Sequence, residues 1–496
     1  MRQGRRRGGD FATATSDVMR PDRARGHGEE VVYTPDPLDE RDITPPNAEP
    51  HTVNRLPGVE EVKRNTIEAL IFRALSTPLA AGLTILQARV LGADGVGTYA
   101  LAVLTVLLFS RLLSDLGNAA TREIGDSEDQ IGPVTALALR LSLVFAPLGI
   151  VAAVVLMRFP ELVGAKGNVS LGLAILAAVA LAPTAIRQTM SGILVGLSRV
   201  RLWSYLQIAP QILAFIGFFL FVGVDGQFTL PLVDEDVTLR IQLFELGVEG
   251  AILAWTLGHT ITALIALIAT RRLWLPHLTT RLPRGTASRL IRLALAMGAV
   301  NVIVYVNYRI EFLFLEREGT SDVGNYRTAT TVAETLWIIT TAIATASWAT
   351  VLHEREGRAA ATVLRASLKG LLYVGAGAIV LALVAPSVLP RIYGEDFEPA
   401  VSAVQWLLPG ILAYGPVSVL SIYVSVRHRR PHLALVGPAL SIIVTTGLAF
   451  WLIPSRGIDG AAMASSAGYI VSAAAAWIMF ARLAGLSWRR LAPASA

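Results

Sequence analysis

Ionisable side chains interrupt the apolar segments of this chain, and they are the residues best suited to chemistry. Arg309 and Glu311 lie within the run NVIVYVNYRIEFLFL, and Glu334 lies in the next apolar segment. On insertion scales a charge at the bilayer centre costs about 2.5–3.5 kcal/mol, so these side chains should face water, each other or a ligand. The first half of the chain carries further examples: Arg73, Arg111, Asp115, Arg140 and Arg187.

The arginines among them favour an anionic ligand. A guanidinium donates two parallel hydrogen bonds to phosphate oxygens, and we therefore expect Arg73, Arg111 and Arg309 to bind phosphate. Arg73 and Arg309 lie in the first apolar segments of the two halves and have no opposite charge on the same helix face. Arg111 is four residues before Asp115, so these two could also form a structural pair. We expect Arg89, Arg140 and Arg187 to extend to the membrane interface.

The carboxylates have two interpretations that the residues alone leave open. Asp115, Glu311 and Glu334 could exchange protons or hold Na⁺ and so couple transport to an ion gradient. Alternatively, they form ion pairs with nearby arginines that hold helices together. Arg309 and Glu311 are two residues apart and point about 200° from each other on a helix, so each needs a partner elsewhere.

The amino-acid composition indicates that these charged residues belong to a membrane protein. Of 496 residues, 16% are charged and 53% are hydrophobic, whereas soluble chains carry roughly 25% charged residues. Apolar runs of about 20 residues recur, which indicates a protein with many membrane spans. The net charge of +6 therefore does not indicate a nucleic-acid partner. No cysteine, no metal-binding histidine pattern and no GxxxxGK[ST] phosphate loop is present, so we expect no cofactor and no metal.

We predict an all-α integral membrane protein with twelve transmembrane helices. Residues 1–62 lack apolar periodicity and the apolar core of a signal peptide, which is typical of a disordered cytoplasmic tail. A misassigned start codon, with translation beginning near Met19 or later, is the alternative. The predicted spans are 66–89, 96–116, 132–157, 169–195, 202–224, 244–270, 289–314, 326–351, 365–389, 399–425, 432–454 and 459–483.

Charge in the loops predicts the orientation. The linker between spans six and seven, residues 271–288, is rich in arginine and has no acidic residue. Loops on the opposite side are acidic, as in residues 234–236 (DED) and 395–398 (EDFE). Cytoplasmic loops carry the arginine and lysine excess. We therefore expect a multi-pass protein of the plasma membrane with both termini in the cytoplasm, the second as a short tail at 486–496.

An internal repeat predicts two equivalent lobes. GADGVGTY at 92–99 and GTSDVGNY at 319–326 share Gly, Val, Gly and Tyr at the same offsets, and GVEGAILA at 247–254 matches GIDGAAMA at 457–464. Six spans per copy give both halves the same orientation, so a pseudo-two-fold axis should run along the membrane normal. The lobes would be residues 63–270 and 289–485. We interpret the first repeated motif as an outer turn between helices.

The chain resembles polysaccharide flippases of the MOP superfamily. The stretch RVLGADGVGTYALA at 89–102, then DLG at 115–117 and REI at 122–124, is similar to the pattern "aRxLGxxxfGxYala…lxxlGlxxaxxrxia" of the O-antigen and exopolysaccharide exporters, which are related to the lipid II flippase and the MATE drug exporters. Where that family often has an Asp in span seven, this chain has Glu311. The resemblance covers about residues 63–485.

The resemblance implies a V-shaped, arginine-bearing cavity between two six-helix bundles. It also implies a function: a polyprenyl-(di)phosphate-linked oligosaccharide moves from the cytoplasmic to the outer leaflet by alternating access, driven by an ion gradient or the membrane potential. Partners would be this lipid-linked glycan, the bilayer, and proteins such as a glycan polymerase or glycosyltransferases. Asn301, Asn307 and Gln188 could face sugar.

Two other functions fit the sequence less well. A MATE-like exporter of organic cations would favour an acidic, aromatic cavity, which the excess of arginine opposes. A membrane glycosyltransferase, polymerase or ligase would need acid/base residues on a sizeable outer loop. The longest outer loop here, residues 225–243, offers acidic residues and no recognisable base.

Overall fold

The structure is a computed structural model that describes residues 59–485, apart from residues 126, 160, 162–168, 230–235, 242 and 429. Side chains are described from Ser76 onward, except in residues 224–229 and 236–241 and at a few isolated positions. The predicted C-terminal tail and residues 1–58 of the predicted N-terminal tail lie outside the described residues. Residues 59–62, which the sequence assigned to the tail, begin the first helix.

Helices make up nearly all of the described chain, as predicted. They are α1 (Val59–Leu113), α2 (Leu116–Ile124), α3 (Ile131–Arg158), α4 (Leu171–Val179), α5 (Leu181–Gly196), α6 (Val200–Phe221), α7 (Gly247–Trp274), α8 (Thr286–Asn307), α9 (Glu311–Leu315), α10 (Thr320–Glu334), α11 (Trp337–His353), α12 (Glu356–Tyr393), α13 (Pro399–Tyr414), α14 (Val417–Ser421), α15 (Pro431–Ala434) and α16 (Val436–Leu483). A π-helical turn, Ile422–Arg427, follows α14.

Within the described residues, ten helical segments are long and apolar enough to cross a membrane. Two of them contain helices too long for one crossing. At 1.5 Å per residue, α1 would extend about 80 Å and α16 about 70 Å, more than twice the hydrocarbon thickness of about 30 Å. Both are interrupted by a glycine with non-helical backbone angles, Gly92 (φ 64°) in α1 and Gly457 (φ 54°) in α16. Twelve crossings are compatible with this arrangement and remain a prediction.

Hydropathy located the helices but missed breaks inside six of the predicted spans. The fourth predicted span is divided into α4 and α5, the seventh into α8 and α9, and the eighth into α10 and α11. The tenth is divided at Gly415 and Pro416 between α13 and α14. Shorter pieces are cut from the end of the second span, between α1 and α2, and from the start of the eleventh, between α15 and α16. A break of one to three residues leaves an apolar run unchanged, so hydropathy does not detect it.

The predicted outer loop at 225–243 contains the only strands in the described part of the chain. Strand β1 (Val224–Thr229) pairs antiparallel with β2 (Asp236–Ile241), with Val224 opposite Ile241 and Thr229 opposite Asp236. The hairpin is a small exception to the all-α class.

The repeated motif also brings the two halves together, which the sequence interpretation did not foresee. The part of α1 that follows Gly92 crosses α10 at Gly97 and Gly324. A Cβ atom on Gly97 would overlap the carbonyl oxygen of Thr320, and one on Gly324 would overlap that of Ala93. Since these residues occupy equivalent positions in the two copies, the contact is two-fold symmetric. Glycine is required here because the two backbones touch.

The second repeat shows the same equivalence. Gly247 and Gly457 have nearly identical positive φ angles of 51° and 54°. Three residues later, Gly250 lies against the carbonyl of Phe221 and Gly460 against that of Leu452. Both copies of this motif therefore have the same turn and the same close helix contact.

Candidate functional site

Arg309 is paired with Glu334. The turn between α8 and α9 holds Arg309, whose Nη1 and Nη2 donate to Oε1 and Oε2 of Glu334 at 2.7 and 2.9 Å. Nη1 also donates to the carbonyl of Tyr308 at 2.8 Å. Their side chains remain 24% and 21% exposed. This two-pronged pair joins the turn after α8 to the C-terminal end of α10. It agrees with the ion-pair interpretation of Glu334, and a role in ion coupling stays a prediction.

Glu311 lies two residues away in a different environment. Its side chain is fully buried. Oε1 accepts hydrogen bonds from Tyr326 at 2.9 Å and from Ser465 of α16, whereas Oε2 has no hydrogen-bond partner. No ion pair with Glu311 is present among the described residues. Both interpretations of Glu311, ion exchange and a packing ion pair, stay predictions.

The predicted pair of Arg111 with Asp115 is absent from the described ion pairs. Because α1 ends at Leu113 and Asp115 precedes α2, the two residues do not share a helix face. Asp115 instead accepts a hydrogen bond from Asn118 at 2.7 Å and another from Asn301 of α8. Asn301, expected to face sugar, therefore links the two halves of the chain.

Arginines from both halves surround Tyr305 of α8. The guanidinium of Arg111 lies 5.8 Å from the centre of the Tyr305 ring. Arg309 and Arg327 also interact electrostatically with Tyr305. Arg327 lies over Tyr99 of the opposite half, 5.3 Å from its ring centre. We refer to Arg111, Arg309 and Arg327 as the arginine cluster.

Sequence reasoning missed Arg327. It directly follows Tyr326 of the repeated motif, and its counterpart in the first copy is Ala100. A charge on one copy of an otherwise apolar repeat position is a signal that could have identified it. Its Nε is buried and has no hydrogen-bond partner.

Other predicted residues have different positions. Arg187 does not extend to the membrane interface, contrary to the expectation. It lies in the middle of α5 and is 8% exposed, and its Nη1 donates to Oε1 of Gln207 in α6 at 2.8 Å. Arg89 is exposed and donates to the carbonyls of Arg391 and Ile392. The side chain of Arg73 lies outside the described residues. Asn307 is buried, and neither its oxygen nor its nitrogen has a partner.

An aromatic cluster lies beside Arg309. Tyr308, Trp337, Tyr414 and Tyr469 have ring centres 5.2–6.0 Å apart. Tyr308 donates to the Tyr414 hydroxyl at 2.9 Å. The rings join helices α11, α13 and α16 to the turn after α8 and fix the backbone that carries Arg309 and Glu311.

The two halves are also bridged at both ends of the interface. At the end with the repeated motif, Thr320 is hydrogen-bonded to Asp94. At the other end, Arg289 of α8 donates to Glu123 of α2 through Nε at 3.1 Å and Nη2 at 2.5 Å. The arginine cluster lies between these bridges along α1, α8 and α10. Its guanidinium groups can bind an anion through charge-assisted hydrogen bonds, which are roughly twice as strong as neutral ones.

Comparisons with known proteins agree with this fold. The sequence model of the polysaccharide biosynthesis protein family matches residues 62–349, more than half of the chain. The structure is similar to the lipid II flippase MurJ in an inward closed conformation, with a TM-score of 0.69, 11% sequence identity, and coverage of 83% of this chain and 87% of that one.

Two further matches are multidrug resistance MATE family transporters of the MOP superfamily. The inward-facing one has a TM-score of 0.64 with 18% identity, covering 86% of this chain and 100% of that chain. The outward-facing one has a TM-score of 0.55 with 17% identity, covering 85% and 94%. At these identities the likeness shows the fold. A search of the curated proteins gave no match.

Proposed function

This chain belongs to the polysaccharide biosynthesis protein family, and we propose that it is a flippase for a polyprenyl-(di)phosphate-linked oligosaccharide. The glycan would move from the cytoplasmic to the outer leaflet of the plasma membrane by alternating access, for O-antigen, lipopolysaccharide or exopolysaccharide assembly. Both termini would be cytoplasmic, and an ion gradient or the membrane potential would drive transport.

The arginine cluster is the observation that carries the proposal. Three guanidinium groups lie within electrostatic reach of Tyr305, and Glu334 is the one carboxylate among the described residues that is paired with them. The cluster therefore keeps a positive charge at the interface between the halves. A phosphate or diphosphate is the ligand that such a site favours, because its oxygens accept paired N–H donors. An organic cation would be repelled.

The proposal is tested by replacing Arg327 and Arg309 singly by alanine and measuring export of surface glycan. A hydrogen bond to a charged group contributes about 1.5–3 kcal/mol, so we expect export to fall about 10-fold to 100-fold. Lysine at either position should restore part of the export, because it keeps the charge and loses the planar fork.

The matched control is Arg365→Ala, which removes an exposed arginine from α12 outside the cluster. Wild-type export in the Arg327→Ala and Arg309→Ala variants, at wild-type protein levels, would refute the phosphate site. Unchanged surface glycan with altered drug resistance in a deletion strain would favour a small-molecule exporter instead.

A further inference from the structure

One exposed glutamine of helix α6 lies on the side of the helix that faces away from lipid. Tyr205, Ile212 and Ile216 are 50%, 40% and 51% exposed and lie on one face of the helix, which is the face toward lipid. Gln207 is also exposed, but it points about 200° from Tyr205. Further along the side of Gln207, Phe218 is buried. The side chain of Gln207 is therefore accessible on the protein-facing side of α6.

Arg187 fixes the orientation of this glutamine. Its Nη1 lies 2.8 Å from Oε1 of Gln207 and 3.5 Å from the carbonyl of Leu206. A guanidinium can only donate, so the amide oxygen of Gln207 must face it. The amide nitrogen, with its two N–H donors, then points away from Arg187. The pairing removes the usual ambiguity between the two ends of a glutamine side chain.

Burial of the Arg187 guanidinium without an opposite charge lowers the stability of the fold, which suggests a functional reason for its position. It is 8% exposed, and its Nε has no hydrogen-bond partner. Among the described residues, no carboxylate lies within ion-pair distance, and its electrostatic neighbours are Arg111 and His259. Burying an ion without an opposite charge costs several kcal/mol. Gly117 of α2 packs against the backbone of Thr189 in α5, so Arg187 and Gln207 lie close to the end of α1 that carries Arg111.

We propose that Gln207 is a substrate-binding residue and that Arg187 is its positioning residue. The amide N–H groups donate to a carbonyl or carboxylate oxygen on the sugar closest to the lipid phosphate, while the arginine cluster binds the phosphate. The positive charge of Arg187 polarises the amide and strengthens its donors. This inference rests on the proposed flippase function and assigns to one side chain the recognition of the glycan.

The variant Gln207→Glu distinguishes a role of Gln207 in binding the sugar from a purely structural contact with Arg187. Glutamate keeps an oxygen that accepts from Arg187, and the hydrogen bond becomes charge-assisted. The unfolding temperature of this variant should therefore be at least as high as that of the wild type. It loses both N–H donors. Gln207→Met removes the donors without adding charge. If the glutamine were merely structural, Gln207→Glu would bind substrate like the wild type.

Binding is measured in nanodiscs with two probes, undecaprenyl diphosphate and the same lipid carrying N-acetylglucosamine. We expect the wild type to prefer the sugar-bearing probe about fivefold to tenfold, the contribution of one or two neutral hydrogen bonds. Gln207→Glu, Gln207→Met and Arg187→Met should abolish this preference, and Arg187→Lys should restore part of it relative to Arg187→Met. Gln405→Glu and Gln405→Met, at an exposed glutamine of α13, should leave it unchanged.

The outcomes distinguish this inference from the proposed function. Equal binding of the bare diphosphate by the wild type and Arg327→Ala would contradict the phosphate site. Loss of that binding in Arg327→Ala, together with an intact sugar preference in both Gln207 variants, would overturn the role of Gln207 alone. A wild type without any sugar preference would overturn it as well.

Discussion

Glu311 places a carboxylate oxygen without a partner inside the second half of the protein. A proton or Na⁺ on Oε2 would satisfy that oxygen, whereas Oε1 already accepts from Tyr326 and Ser465. Glutamine at this position keeps an acceptor for the two hydroxyls but cannot exchange a proton. We predict that Glu311→Gln folds and no longer transports faster when a proton or Na⁺ gradient is imposed on proteoliposomes. Unaltered gradient dependence would give Glu311 a structural role only; Glu318→Gln, at an exposed residue, is the control.

Glu316 lies outside the membrane spans, and we expect it to make the stability of the fold depend on pH. Burial raises its pKa to about 7 from an ordinary value of 4.5. The folded protein then binds more protons than the unfolded chain between these two values, so the free energy of unfolding decreases as the pH rises from about 4.5 to 7. We predict that Glu316→Gln flattens the dependence of the unfolding temperature on pH over this range, whereas Glu395→Gln, at an exposed residue, leaves it unchanged. An identical slope in Glu316→Gln and the wild type would contradict the assignment.

The hydrogen-bond and ion-pair partners of the arginines could not be predicted from the sequence. The sequence predicted that Arg111 and Arg309 bind the substrate phosphate, and that role stays a prediction. The partner of Arg309 was not predicted, because Glu334 lies 25 residues away and the pairing depends on how α8 and α10 cross. Arg187 was misassigned for a similar reason. Its depth in a span shows that charge is buried, but only the neighbouring α6 shows what accepts its hydrogen bonds.

At the scale of the helices, the crossing of α1 and α10 should tolerate no added atoms. Alanine at Gly97 or Gly324 would force two backbones apart, and overpacking of this kind costs about 1–3 kcal/mol. We predict lower unfolding temperatures for Gly97→Ala and Gly324→Ala. The control Gly172→Ala, which has open space around it, should match or exceed the wild type. Equal unfolding temperatures in all four proteins would contradict the close contact.

Helix positions followed from hydropathy, whereas their interruptions did not. The apolar runs predicted α3, α6 and α7 because burial in lipid requires about 20 apolar residues in succession. The break between α8 and α9 lies within one such run and carries Arg309 at its centre. Interruptions of this kind depend on which neighbouring side chains satisfy the freed backbone groups, and these neighbours come from distant parts of the sequence.

At the scale of the whole molecule, the bridges at the two ends of the interface should compete. Alternating access requires one end to open while the other is closed. We predict that Glu123→Gln weakens the end held by Arg289 and favours closure at Asp94 and Thr320. Because this chain has no cysteine, the pair Asp94→Cys and Thr320→Cys can report closure by disulfide formation.

Salt provides an independent check of this competition. Arg289 is 56% exposed, so high ionic strength should screen its attraction to Glu123 and increase disulfide formation in the otherwise wild-type chain. The Glu123→Gln variant should show little further change with salt. Glu354→Gln removes an exposed ion pair with Arg358 inside one half and should alter neither result. A salt response that persists in Glu123→Gln would exclude this bridge as its cause.

The two lobes were predicted from the repeated motifs, but the place where they meet was not. Matching glycines at equal offsets indicate that two segments have the same backbone geometry. They do not show that the segments touch, since a turn and a close crossing both require glycine. Here Gly92 makes the turn, and Gly97 makes the crossing.

The symmetry of that crossing has a consequence for the origin of the chain. Gly97 meets Thr320, the counterpart of Ala93, and Gly324 meets Ala93, which is the reciprocal contact of a homodimer. A six-span ancestor could have assembled as a pair through this surface alone. Fusion of two such copies into one chain would free each copy to change independently. Arg327 opposite an alanine at the equivalent position is such a change, and a symmetric pair could not have carried one arginine without the other.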